Sequence, residues 1–227
     1  MTSTPTLTDS PQHPAPTGTR PIIAALRAAI AATLLIALGY QIVDKLTHND
    51  MIWGEYLSFF TIQSSFIAAG VMAWGAASAL RSRADTVLYT AVRMSVVTYA
   101  VVTAGVYNGL LRGLPPEGYQ GLPWPGELMH VWVPTAILLD WLLSPGRARL
   151  GWTALRIVIA YPILWLVYTF VKGAATGWYP YPFLEPESGL LSISLYVVGI
   201  AAFILGIAAL AIALTRHRTT VASVNSA

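Results

Sequence analysis

Hydroxyl and amide side chains cluster at the start of a long apolar segment of the chain. Within residues 56–65 they are Ser58, Thr61, Gln63, Ser64 and Ser65. If this segment is one helix, Ser58, Thr61 and Ser65 lie on the same face, because side chains three, four and seven residues apart align. Lipid offers such groups no hydrogen-bond partner, so this face is predicted to contact protein or a wet cavity. A hydroxyl in that position becomes a candidate nucleophile when a base lies beside it.

Only one histidine lies within an apolar segment. His13, His48 and His217 belong to the tails or a polar connection, whereas His130 begins a hydrophobic stretch. Pro134 follows four residues later and has no N–H, so the carbonyl of His130 loses its helical donor and a local break is predicted. An imidazole there is a candidate general base for a hydroxyl nucleophile. The alternative is structural, with Thr61 bonded to its own turn and His130 reaching the lipid headgroups.

Three further side chains are candidates for polarising a substrate carbonyl. Asn108, which ends the third apolar segment beside Tyr107, has amide N–H groups suited to a developing oxyanion. The hydroxyls of Ser64 and Tyr181 are the other two. Two neighbouring aromatic residues, Tyr107 and Trp178, complete the set. The candidate substrate-binding residues are Asn108, Ser64, Tyr181, Tyr107 and Trp178.

A metal centre is the weaker interpretation of the same region. Glu127 and His130 match the Glu-x-x-His spacing of di-iron helix bundles. Such a site needs two copies of the motif and additional carboxylates, and the sequence has one copy. Cysteine is absent, so thiolate ligands and disulfides are excluded. We expect no metal and no cofactor.

The composition is that of an integral membrane protein. Of 227 residues, 56% are hydrophobic and only 10% are charged. A soluble domain carries about 25% charged residues, so this chain lacks the polar groups to cover a globular surface. Basic residues are scattered in short connections, which argues against nucleic-acid binding. Membrane lipids are the expected partners.

Six apolar segments approach the length of about 20 residues that a spanning helix needs. They are residues 22–43, 57–80, 87–111, 127–143, 154–171 and 190–214. The expected fold is all-α, a polytopic membrane protein with six transmembrane helices in one bundle. Residues 1–20 are predicted to be a disordered cytoplasmic tail, 21–215 the transmembrane domain and 216–227 a second cytoplasmic tail.

Arginine marks alternate connections between the segments. The eight residues concerned are Arg20, Arg27, Arg81, Arg83, Arg147, Arg149, Arg216 and Arg218. By the positive-inside rule these regions, and both termini, face the cytoplasm. Thr61 and His130 then lie at one depth, roughly 5–6 Å below the outer boundary at 1.5 Å rise per residue. Deeper in the bundle, Asp140 is expected to pair with Arg93 or Arg156.

The outer connections 113–126 and 173–189 are rich in proline and aromatic residues. Proline restricts the backbone, and Trp and Tyr favour the membrane interface. These loops are predicted to form an ordered cap over the outer surface. The alternative is an ordinary aromatic belt.

Short motifs in this order resemble the androgen-induced protein family. They are Phe59-Phe-Thr-Ile-Gln-Ser64, Tyr107-Asn108, Leu128-Met-His130 followed by Pro134, and Trp178-Tyr-Pro-Tyr-Pro-Phe-Leu-Glu185. The resemblance covers roughly residues 22–214. It implies a six-span membrane threonine hydrolase that cleaves fatty acid esters of hydroxy fatty acids with one Thr and one His.

By position, the resemblance places the family's nucleophile on Thr61 and its histidine on His130. A second register places the nucleophile on Ser58. Animal members carry an Asn a few residues before the histidine, where this chain has Gly126. The leading expectation is an intramembrane lipid esterase in a bacterial inner membrane. The rivals are a small transporter or lipid-binding protein, and an inactive scaffold of the same fold.

Overall fold

A computed structural model describes residues 19–81, 85–114 and 119–224. These residues form eight α-helices joined by short turns, and no strand occurs among them. The helices are α1 Arg20–Thr47, α2 Trp53–Tyr56, α3 Phe60–Leu80, α4 Val87–Val106, α5 Trp124–Glu127, α6 Val133–Leu143, α7 Leu155–Thr176 and α8 Leu190–Val224. A π-helical turn, Tyr107–Leu111, extends α4, and a second, Leu128–Trp132, joins α5 to α6. The prediction of an all-α fold is confirmed for the described residues.

Five helical segments of the described chain are long and apolar enough to cross a membrane. They are Arg20–Thr47, Phe60–Leu80, Val87–Leu111, Trp152–Thr176 and Leu190–Arg216. The predicted fourth span, 127–143, instead consists of the second π turn and the short helix α6. Most of the predicted tail 1–20 lies outside the described residues. At the other end, α8 continues past the expected limit at Leu214 as far as Val224.

Helix α4 is the centre of the bundle, and α7 and α8 form its outer wall. Helix α1 packs along α3, while α4 contacts α3, α6, α7 and α8. In α4, 67% of the most apolar stretch is buried, against 17% in α7 and 22% in α8. The exposed faces of α7 and α8 carry large apolar side chains, among them Leu164, Val171, Leu191 and Leu195. Exposed apolar surface on this scale indicates contact with lipid.

The second predicted span begins later than expected. Phe59 has extended backbone geometry (φ −66°, ψ 129°), so α3 begins at Phe60 and a separate short helix, α2, precedes it. The prediction that Ser58 shares a helix face with Thr61 is therefore wrong. One local and one tertiary contact hold the break. The Ser58 hydroxyl donates to the Gly54 carbonyl, four residues earlier, at 2.5 Å. The indole Nε1–H of Trp165 donates to the Ser58 carbonyl at 2.9 Å.

A buried ion cluster ties α1, α4 and α6 together. Asp140, 1% exposed, lies 3.1 Å from Nε of Arg27 and 2.6 Å from Nη2 of Arg93. Arg93, 0% exposed, also binds Asp85 at 3.2 Å. The expected pairing of Asp140 with Arg93 is confirmed. Arg156 lies on the exposed surface instead, and Arg27 takes its place in the cluster.

We expect Asp140→Asn to destabilise the bundle by about 3–5 kcal/mol, because it leaves buried guanidinium charge without its carboxylate. Thermal unfolding of the detergent-solubilised protein measures the effect. Asp50→Asn is the matched control, since Asp50 pairs with Lys45 at the surface, where ion pairs contribute little. Equal unfolding temperatures for the two variants would contradict the structural role of the cluster.

Candidate functional site

Thr61 and His130 lie within hydrogen-bonding distance of each other. Thr61 is the second residue of α3, and His130 lies in the π turn Leu128–Trp132. The Thr61 Oγ1 atom is 3.4 Å from His130 Nε2, and both residues are half-buried. The structure thus brings together the two residues that the sequence singled out for catalysis.

The other ring nitrogen of His130 is held by the backbone. His130 Nδ1 lies 2.8 Å from the Gly126 carbonyl oxygen. A carbonyl oxygen only accepts, so Nδ1 carries the proton, and in the neutral ring the Nε2 lone pair faces Thr61. That tautomer can accept the Thr61 hydroxyl proton, and such contacts shorten further when substrate binds. Gly126 contributes through its main chain, so the contact does not depend on a side chain at that position.

The predicted break at His130 is a π turn, and its free carbonyl has a partner. The Asn108 amide donates to the His130 carbonyl at 3.2 Å and to the Ala104 carbonyl at 2.8 Å. Both N–H bonds of the amide are used, so Asn108 holds the His130 backbone rather than facing a substrate. Asn108 lies in the π turn at the end of α4. Single π turns inside helices frequently occur at functional sites.

A layered stack fixes the plane of the imidazole. The Tyr107 ring stacks on His130 with centroids 3.8 Å apart and planes 17° apart. The Arg112 guanidinium lies 5.5 Å from the Tyr107 centroid, and its Nη2 atom binds both Glu127 carboxylate oxygens at 2.7 and 2.9 Å. The ion pair therefore connects the two π turns across the face of the site.

Tyr181 covers one side of the site. Helix α7 ends at Gly177 in the left-handed conformation (φ 75°), and the loop that follows returns over the start of α3. There the Tyr181 hydroxyl interacts with the Thr61 side chain and with the backbone of Phe60 and Thr61. Burial, which is the largest effect, raises the pKa of the Tyr181 phenol. The phenol therefore stays protonated and can donate a hydrogen bond.

The other predicted binding residues lie outside this constellation. The Ser64 hydroxyl donates to the Thr61 carbonyl at 3.2 Å and supports the first turn of α3. Trp178 packs edge-on against Phe59, and Lys172 Nζ lies 4.4 Å from its ring centroid. Trp178 and Tyr181 thus pack against Phe59 from the loop after α7. The predicted cap of two loops stays a prediction, because residues 115–118 of the other loop lie outside the described residues.

Ser58, the alternative nucleophile, belongs to a different polar cluster. Its Oγ atom lies 2.8 Å from the Lys172 ammonium and 2.8 Å from the Tyr168 hydroxyl. Its own proton is donated to the Gly54 carbonyl. Ser58 is 1% exposed and its hydroxyl is satisfied, so the geometry favours Thr61 over Ser58.

An apolar cavity of about 150 Å³ opens directly beside Thr61. Helices α4, α7 and α8 and the Tyr181 loop form its walls, and its lining includes Val102, Val106, Leu166, Val197, Ile200 and Ile204. The only hydroxyl groups on the wall belong to Thr61, Thr103, Tyr107 and Tyr181. The sequence did not predict this cavity, because its lining residues are of the same types as those that face lipid. Its chemistry suits a hydrocarbon chain whose polar end lies at Thr61.

Comparison of the chain with protein-family models, curated proteins and solved structures finds no match. Among the residues that the structure describes, no group of three or more His, Cys, Asp or Glu side chains is placed to hold a metal ion. The case for function therefore comes from the geometry around Thr61.

Proposed function

We propose that the protein is an intramembrane lipid esterase in which Thr61 is the nucleophile and His130 the general base. One observation carries the proposal: the 3.4 Å contact between Thr61 Oγ1 and an imidazole nitrogen whose lone pair faces it, at the wall of an apolar cavity. A hydroxyl activated by a neighbouring base, with that base oriented by a third group, is the general arrangement of nucleophilic catalysis. Here the third group is the Gly126 carbonyl.

The reaction proceeds in two balanced steps. In the first, His130 Nε2 takes the Thr61 proton while Oγ1 bonds to the ester carbonyl carbon, and the leaving alcohol departs with a proton from the imidazolium. In the second, water loses a proton to His130 and attacks the acyl-threonine ester. The acyl–Oγ1 bond breaks, the fatty acid leaves and Thr61 regains its proton. Tyr181 donates a hydrogen bond to the carbonyl oxygen as negative charge develops there.

The site fits a six-span arrangement with both termini in the cytoplasm. Helix α5, the π turn and α6 contain 4, 5 and 11 residues and form one run about 30 Å long, enough to serve as the fourth span. In this proposed arrangement Thr61 and His130 lie near the outer surface of the membrane, which we propose is a bacterial inner membrane. An ester can then keep its chains in the bilayer while water arrives from outside. Fatty acid esters of hydroxy fatty acids, implied by the family resemblance, are the first substrates to test.

Labelling with a fluorophosphonate probe tests the proposal, because activated hydroxyls attack its phosphorus. We expect the wild-type protein to be labelled in membranes and Thr61→Ala to lose the label. Ser58→Ala is the matched control, since it removes the neighbouring buried hydroxyl and should leave labelling intact. Undiminished labelling of Thr61→Ala, or loss of labelling in Ser58→Ala alone, would refute the assignment of the nucleophile.

A further inference from the structure

Thr103 carries a buried hydroxyl whose bonding is unusual for its helix. Two other buried hydroxyls of α4 donate to carbonyls one turn earlier: Thr98 to Met94 at 2.9 Å and Ser95 to Ala91 at 3.2 Å. Thr103, 7% exposed, has no hydrogen-bond partner among the described residues. A buried hydroxyl without a partner costs free energy, so a ligand that bonds to it is favoured.

The Thr103 side chain lies between two cavities. One is the apolar cavity beside Thr61. The other is a small cavity of about 20 Å³ between α1, α3, α4 and the helix that carries His130. The small cavity brings together the hydroxyl-bearing residues Ser64, Ser65 and Thr103, and the rest of its wall is apolar.

The size and polarity of the small cavity match one water molecule. A cavity needs about 10–15 Å³ to hold a water, and the water needs two to four polar partners. Three hydroxyl-bearing residues meet that requirement. The Ser64 hydroxyl already donates to the Thr61 carbonyl, so it is placed to accept a hydrogen bond from the water. A cavity of this kind lined only by apolar groups would stay dry.

We propose that Ser64, Ser65 and Thr103 form a binding site for one water molecule, and that this water is the second substrate of the esterase. The inference rests on the proposed function. The elements that carry the two catalytic residues also form the walls of the small cavity. Ser64 and Ser65 lie one turn beyond Thr61 on α3, and Met129 and Val133 flank His130.

Thr103 connects the water site to the acyl cavity, because it lines both. After the alcohol has left, the water moves past Thr103 to the acyl-threonine ester. His130 Nε2 takes one of its protons, its oxygen bonds to the acyl carbon, and the bond to Thr61 Oγ1 breaks. The hydroxyl groups at the start of α3 thereby have two roles. Thr61 is the nucleophile, and Ser64 and Ser65 belong to the water site. This division accounts for polar side chains that neither lipid contact nor the first catalytic step requires.

Burst kinetics with a p-nitrophenyl ester in detergent micelles separates the two steps. Ser65→Ala and Thr103→Val should keep the initial burst within about twofold of wild type while the following steady rate falls about tenfold or more, since a misplaced reactant slows only its own step. Intact-mass analysis should show acyl-enzyme accumulating in both variants. Thr103→Ser, which restores the hydroxyl, should recover the steady rate.

Two substitutions in the same helix, Thr98→Val and Ser95→Ala, are the controls. Both remove a buried hydroxyl that lines neither cavity, and both should leave the two rates unchanged. Wild-type deacylation in Ser65→Ala and Thr103→Val, with the burst intact, would overturn the water site but leave the esterase standing. A wild-type protein that releases no p-nitrophenol in a Thr61-dependent manner would overturn the esterase itself. A high-resolution crystal structure provides a measurement that does not depend on activity: we expect water density between the three hydroxyls, and a dry, ordered cavity would refute the site.

Discussion

Replacing His130 with Gln is expected to lower kcat for ester hydrolysis by about 10²–10⁴-fold, the usual contribution of a positioned general base. Gln is close to His in size and polarity, but it cannot take the Thr61 proton at neutral pH. The stacking face of Tyr107 and the carbonyl of Gly126 remain in place in this variant. Hydrolysis assays on purified protein, with folding checked by thermal unfolding, measure the effect.

The matched control for this prediction is His48→Gln. His48 also stacks on a tyrosine, Tyr119, with centroids 4.1 Å apart, and it is exposed and outside the site around Thr61. Its substitution should leave kcat within about twofold of wild type, as surface changes outside a site usually do. Equal kcat values for His130→Gln and the wild type would show that His130 is not the general base.

The second large effect concerns the length of the acyl chain. A cavity of about 150 Å³ matches the size of one known to bind benzene, so an acyl group of about six carbons should fill it. Each buried CH₂ contributes about 0.8 kcal/mol, which corresponds to a rise of about fourfold in kcat/KM. We therefore expect kcat/KM to climb from acetyl to hexanoyl esters and then level off, because longer chains extend beyond the cavity.

Ile200→Trp should abolish the increase of kcat/KM with acyl-chain length. Ile200 lines the cavity, and the larger indole takes the volume that the acyl chain would occupy. We expect kcat/KM for hexanoyl esters to fall about 10²-fold, while acetyl esters are little affected, since four CH₂ groups lose their burial. The measurement is a p-nitrophenyl ester series from two to sixteen carbons.

Leu210→Trp is the control for the chain-length series, because Leu210 lies on the same helix with its side chain 58% exposed and does not line the cavity. It should leave the series unchanged. If Ile200→Trp also preserves the wild-type profile, the acyl chain binds elsewhere.

The proximity of Thr61 and His130 could be predicted from the sequence because both residues are unusual among their apolar neighbours. A Thr within a cluster of hydroxyls and a single His within an apolar segment differ from their apolar neighbours, and the alternation of arginines predicts that the two residues lie at one depth. Pro134 signalled the break at His130. The hydrogen-bond partners of His130 could not be predicted from the sequence. The bond from the Asn108 amide and the bond to the Gly126 carbonyl both depend on π turns, which shift the backbone hydrogen-bond pattern. The 3.6-residue period of an α-helix does not predict such a shift.

What the sequence did not predict depends on contacts between distant parts of the chain. Ser58 and Thr61 were assigned to one helix because the two phenylalanines between them carry no breaking signal. The break at Phe59 comes from the Trp165 indole of a distant helix. Arg27 is one of the arginines that predict the topology, and the sequence does not show that its side chain turns inward to Asp140. In both cases the deciding contact joins residues far apart in the chain, which local patterns do not encode.

The most direct test of the account is to locate the covalent adduct by mass spectrometry. The wild-type protein is reacted with a fluorophosphonate, digested, and its peptides are sequenced. Residues 54–66 contain both candidate hydroxyls, and fragmentation between Phe59 and Phe60 separates them. The proposed mechanism predicts the phosphonyl group on Thr61 and an unmodified Ser58. An adduct on Ser58, or on a residue outside α3 with Thr61 unmodified, would contradict it.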